Sequence, residues 1–72
     1  MQYAQRLRDL SEDRDLTQED IAKVIGTSQS YYAQYENGKR ELPFTRAIEI
    51  SQFYNVSLDY LAGLTDNQKP LN

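Results

Sequence analysis

The chain has 72 residues, 39% hydrophobic and 26% charged, with a formal net charge of −3, three Gly, two Pro, no Cys and no His. That length holds one small domain, which buries only about 60% of its unfolded surface, and the composition excludes disordered, collagen-like and low-complexity chains. Without Cys or His there are no disulfide staples, thiolate zinc sites or Cys nucleophiles, and the commonest general base is missing, so catalysis is the minority reading and neither metal nor cofactor is expected.

Five short helical patterns follow one another, and no stretch alternates as a strand would. The first covers about Gln2 to Asp13, with Tyr3, Leu7 and Leu10 on one face, and Arg14-Asp15 breaks it. Thr17 caps the second helix and Asp20 completes a capping box, while Leu16 and Ile21 stand where a hydrophobic staple needs them. Ile21, Val24 and Ile25 make its apolar stripe and Gly26 ends it. Ser28 caps a third helix, Gln29 to Asn37, stopped by Asn37-Gly38. Leu42, before Pro43, is expected to be extended. A fourth helix opens at Pro43 or Phe44 and runs to Tyr54, carrying Phe44, Ala47, Ile48, Ile50, Phe53 and Tyr54, with Asn55 as its left-handed terminator. Ser57 caps a fifth, with Leu58, Leu61 and Ala62 inward and Gly63 at its end. Residues 1–64 form the expected domain and residues 65–72 a polar, flexible tail. The fold class is all-α. No apolar run approaches the roughly 18 residues of a membrane span and no signal-peptide core is present, so no membrane partner is expected.

The acidic total counts against a phosphate-bearing partner, but the charge is unevenly spread. Residues 1–20 carry −3, residues 21–48 carry +2 and residues 49–72 carry −2. Local potential, rather than total charge, steers a ligand. The segment Thr17 to Gly38, which overlaps the positive stretch, contains two short helices joined by a turn at Gly26, a helix-turn-helix arrangement. On the second of these, at about 100° per residue from Gln29, Ala33 falls near 40°, Asn37 near 80°, Ser30 near 100° and Gln34 near 140°. Tyr31, Tyr32 and Tyr35 fall at about 200°, 300° and 240°. One side is aromatic and core-seeking; the other is small, uncharged and amide-bearing.

An amide side chain carries a donor and an acceptor side by side and can pair with adenine N6 and N7 in the major groove. Gln29 lies in the first turn, where helix-turn-helix proteins touch base edges, and Gln34 follows on the same face. Ala33 is small enough to admit the groove wall or a thymine methyl. The free amides near Thr17 and Gln18 suit phosphate, as do Asn37, Lys39 and Arg40 just past the recognition helix. Each has a plainer reading: Gln29 and Gln34 as solvated helix residues, Lys39 and Arg40 as loop charges. Tyr32 and Tyr35 belong to the core rather than to a base-stacking platform, and Tyr31 stands between packing and a phosphate contact. The stretch Glu12-Asp13-Arg14-Asp15 lacks the Gly and terminal Glu of a calcium loop. Glu19 and Asp20 are adjacent and point apart on a helix, so no glycosidase-like pair exists.

The runs Leu16-Thr17-Gln18-Glu19-Asp20-Ile21-Ala22, Gly26-Thr27-Ser28, Tyr35-Glu36-Asn37-Gly38-Lys39-Arg40, Pro43 and Tyr54-Asn55-Val56-Ser57-Leu58-Asp59-Tyr60-Leu61 together resemble the XRE family of Cro/C1-type helix-turn-helix regulators. The resemblance covers roughly residues 4–64. It implies a compact five-helix lambda-repressor-like domain, with the helix-turn-helix formed by helices 2 and 3. It also implies sequence-specific binding of double-stranded DNA by a homodimer on a near-palindromic operator, in a cytoplasm of bacterial or phage origin. By that resemblance Gln29, Ser30 and Gln34 read bases, while Gln18, Asn37, Lys39 and Arg40 contact phosphates; the reading of the residues adds Ala33 to the first set and Thr17, Ser28 and Tyr31 to the second. Asp15 stands where many members have Gly, which strains that turn. Tyr32 stands where many have Ile or Val, so its hydroxyl is expected to reach the edge of the core.

One such domain reaches about half a site, so two copies are expected on DNA. Tyr60 and Leu64, with Leu71 and more weakly Phe53, exceed what the core can use and form the expected dimer surface. A stand-alone regulator acting as a repressor is the leading function. An antitoxin-like or accessory protein with a protein partner is the alternative, and an enzyme is remote. If residues 1–72 are the whole protein, there is no sensor domain or small-molecule ligand, and control passes to concentration, proteolysis or a protein antagonist.

Overall fold

Local hydrogen bonding divides the chain into its elements. In the computed structural model, which describes residues 3–70, five helices follow one another: α1 (Tyr3–Asp13), α2 (Gln18–Val24), α3 (Gln29–Glu36), α4 (Phe44–Tyr54) and α5 (Leu58–Leu61). The described residues contain no strand. Thr17 Oγ1 accepts from the Asp20 amide at 3.1 Å and the Asp20 carboxylate accepts from the Thr17 amide at 2.9 Å. This reciprocal box satisfies two donors that would otherwise be orphaned at the helix start. Ser28 and Ser57 cap α3 and α5 through their hydroxyls.

All five helices end the same way. Each is followed by a left-handed residue, Asp15, Gly26, Gly38, Asn55 or Gly63, with φ between 56° and 83°. The next amide reaches back five residues, as in Leu16 to the Ser11 carbonyl at 2.8 Å and Thr27 to that of Ala22 at 2.9 Å. This closure satisfies the last carbonyls and turns the chain sharply, which lets five helices pack within 72 residues.

The core gathers Leu7 and Leu10 from α1, Ile21, Ala22 and Ile25 from the α2 segment, Tyr32 and Tyr35 from α3, Ile50 and Tyr54 from α4, and Val56, Tyr60 and Leu61 around α5. Tyr3 packs at its edge and donates to the Arg40 carbonyl at 2.9 Å. Several expectations need correction. Val24 is 42% exposed and Ala22 takes its place inside, because the buried stripe centres on positions 21, 22 and 25, with residue 24 about 100° away. Phe44 of the α4 stripe points outward, as does Phe53, the weaker surface candidate, whereas Tyr60 is buried. Tyr60 is therefore used by its own core: the Arg6 guanidinium lies 4.3 Å from its ring centre and Gln68 donates to its hydroxyl. The Tyr32 hydroxyl lies inside rather than at the edge.

The polar segment after Leu64 is tied to the body. Arg6 donates to the Thr65 carbonyl and pairs with Asp66 at 3.0 Å, while the Ser57 amide donates to the Gln68 carbonyl at 2.9 Å. Leu71 lies outside the described residues. No helix among those described is long and apolar enough to cross a membrane.

Candidate nucleic-acid interface

The two faces of α3 separate as its periodicity dictates. Tyr32 and Tyr35 are buried, while Gln29 and Ser30 are exposed and Ala33 and Gln34 half-buried. Tyr31 occupies the boundary, 37% exposed, with its ring edge-on to Tyr35 at 5.7 Å between centres. The outer face thus presents the amides that the sequence nominated, on a helix held from behind by aromatic packing.

These side chains are already engaged with one another. Gln29 Nε2 donates to Gln18 Oε1, bringing the first residue of α3 against the first residue of α2. Gln18 Nε2 in turn donates to the Glu36 carboxylate at 3.3 Å. Gln34 Oε1 accepts from Arg40 Nε at 3.1 Å, and the Arg40 guanidinium lies 4.5 Å from the Tyr31 ring centre. Arg40 therefore folds back over α3 rather than standing free. Asn37 and Lys39 are exposed just past the helix.

The candidate phosphate contacts are more varied. The hydroxyl oxygens of Thr17 and Ser28 accept from cap amides, so their own hydrogens are what they can offer outward. The capping box uses the amides of Thr17 and Asp20, leaving those of Gln18 and Glu19 as the donors of that turn. The carboxylates of Glu19 and Asp20 in the same turn oppose an anion there. Hydrogen bonding to the Thr17 amide holds the Asp20 carboxyl below its ordinary pKa.

Three residues supporting the site had no role assigned from the sequence. Glu36 is buried, and its backbone carbonyl accepts from Arg8. The signal was present, since residue 36 falls at about 340° on the α3 wheel, next to Tyr32. Arg46 of α4 donates to the Ile25 carbonyl and so braces the turn between α2 and α3. Nothing in the spacing of Arg8 or Arg46 points to these long-range bonds. Burial, and secondarily the Glu36 charge, push the Tyr54 phenol up to about 12 and the Tyr32 phenol further in the same direction. Among the described residues no group of acidic side chains is placed to hold a metal ion.

Comparison with known proteins finds relatives for both the sequence and the fold. A family model described as helix-turn-helix matches residues 7–61. The chain is 40% identical over 68 residues to the uncharacterized HTH-type transcriptional regulator YobD of Bacillus subtilis (strain 168), covering 94% of this chain and 61% of that protein. It is 32% identical over 56 residues to the cryptic phage CTXphi transcriptional repressor RstR of Vibrio cholerae, covering 78% of this chain and 50% of that protein. The chain thus spans between half and two thirds of these relatives. Its fold matches the crystal structure of a transcriptional regulator from Listeria innocua with a TM-score of 0.84, at 23% identity, over 89% of this chain and 60% of that one.

Proposed function

Since the chain belongs to the XRE-type helix-turn-helix regulators, which are DNA-binding proteins and not enzymes, we propose that it binds operator DNA as a homodimer and represses transcription, with α3 in the major groove. The observation that carries this reading is the division of α3, with Tyr32 and Tyr35 inside and Gln29 and Gln34 facing out. Gln29, Ser30, Ala33 and Gln34 read base edges. Thr17, Gln18, Ser28, Tyr31, Asn37, Lys39 and Arg40 hold phosphates on either side. One relative named as a phage repressor favours repression over activation. Leu64, 77% exposed three residues past α5, carries the dimer contact in this reading, and Tyr60 does not. Residues 1–64 are the binding domain, and the site of action is the cytoplasm.

Selection from a random duplex pool at near-physiological salt tests the proposal. Enrichment of a palindrome with half-sites about one helical turn apart supports it. Weak binding without enrichment, lost as salt rises, overturns it. The open apolar groove between Leu42, Phe44, Ala47, Leu58 and Leu61 favours the second reading, an accessory protein with a protein partner. That reading gains only if the selection fails.

A further inference from the structure

We propose that the buried Glu36 carboxylate fixes the direction of the amide relay through Gln18 to Gln29, and so determines which base edge Gln29 can read. The inference rests on the reading of α3 as the base-contacting helix. Two neutral amides pair equally well in either direction, because each carries both a donor and an acceptor. A carboxylate removes that freedom, since it only accepts.

Glu36 Oε1 lies 3.3 Å from Gln18 and therefore requires the Gln18 nitrogen to face it. The Gln18 oxygen must then point the other way, toward Gln29, and it accepts from Gln29 Nε2. Gln29 is left with its nitrogen on the Gln18 side and its oxygen on the outer side. Adenine recognition needs one acceptor and one donor in fixed order. Reversing the amide sets its oxygen against adenine N7 and loses the pair. Glu36 touches no DNA in this arrangement and acts as a positioning residue.

Packing alone does not account for this carboxylate. It is buried on α3 at 4% exposure beside the buried phenol of Tyr32, whose pKa is raised by burial first, then by the Glu36 charge and a hydrogen bond with it. An unsatisfied buried charge is destabilising. Besides that inward contact, Glu36 accepts a hydrogen bond from Gln18 that runs outward to the relay.

The test has a DNA-free arm and a DNA arm. In nuclear magnetic resonance spectra of the free protein, the Gln18 side-chain N–H facing Glu36 should be resolved from solvent-exposed amides and slow to exchange, and Glu36→Gln should abolish both properties. On the duplex enriched by the wild-type protein and its single-base variants, Glu36→Gln should narrow the preference at the base pair under Gln29 by about tenfold. Affinity for a scrambled duplex should not change. Gln18→Met should narrow the same preference, and adding Glu36→Gln to it should have no further effect; if Glu36→Gln alone unfolds, the protection of the Gln18 side-chain amide in the wild-type protein carries the test. An unprotected Gln18 amide in the free wild-type protein overturns the relay by itself. Equal weakening of all duplexes by Glu36→Gln, with the preference intact, reduces Glu36 to a structural residue and also overturns it. A wild-type protein with no base preference overturns the underlying reading of α3 instead.

Discussion

The guanidinium of Arg40 lies over Tyr31, 4.5 Å from the ring centre, and from there its Nε donates to Gln34. A cation that only donates holds the Gln34 oxygen toward itself. Arg40 and Lys39, neighbours in sequence, should therefore differ. Lys39→Ala should weaken all duplexes alike and flatten the salt dependence by about one unit. Arg40→Ala should do the same and also alter base preference at the pair beneath Gln34. Fluorescence anisotropy across a salt series, on operator and on single-base variants, separates the two.

In the proposed reading Gln29 has the most direct role in specificity. Gln29→Ala should cost about 1–3 kcal/mol on the operator and relax the preference at one base pair. Uniform loss on every duplex in a competition assay would remove it from the base-reading set.

The two buried phenols make stability sensitive to alkali. Tyr54 has its folded pKa raised to about 12, from burial first and then the Glu36 charge, against about 10 in the unfolded chain. The favoured form is neutral, so its contribution is complete below about pH 10 and is lost as the pH rises through about 12. Urea midpoints should fall over that window, and less steeply in Tyr54→Phe. At neutral pH the same substitution removes a hydroxyl without a partner and should change stability by no more than about 1 kcal/mol in either direction.

Asp15 closes α1 at φ 56°, a left-handed conformation held by a residue with a Cβ. Asp15→Gly relieves that strain, offset in part by the greater entropy of glycine in the unfolded chain. A net gain of about 0.5–1 kcal/mol is expected in thermal or urea unfolding. Asp15→Ala should destabilise.

Leu64 is exposed while its neighbour Tyr60 is not. Leu64→Asp should lower operator affinity by about tenfold, the order of one interface side chain, with unchanged helical content. Sedimentation at matched concentrations should show a corresponding shift toward monomer. Operator binding and association equal to wild type would place the dimer contact elsewhere.

The boundaries of the helices were legible in the sequence because the hydrogen bonds that set them span only a few residues. Thr17 with Asp20, Ser28 with Tyr31, and Asn55 in its left-handed turn follow from local chemistry, and so does the outward set Gln29, Ser30 and Gln34, from one helical period. What those side chains face was decided by the tertiary structure. Phe44, Phe53 and Val24 are apolar yet exposed, and Tyr60 is covered, because burial depends on which helix arrives opposite. Arg6 meets residues 65 and 66, Arg46 meets Ile25 and Gln18 meets Glu36 across separations that no local pattern encodes. The amino-acid order by itself thus determined five capped helices and a two-faced α3. Only their packing brought a charged core residue to one end of the Gln18–Gln29 pair, since the contact requires α2 and α3 to be held together at the turn.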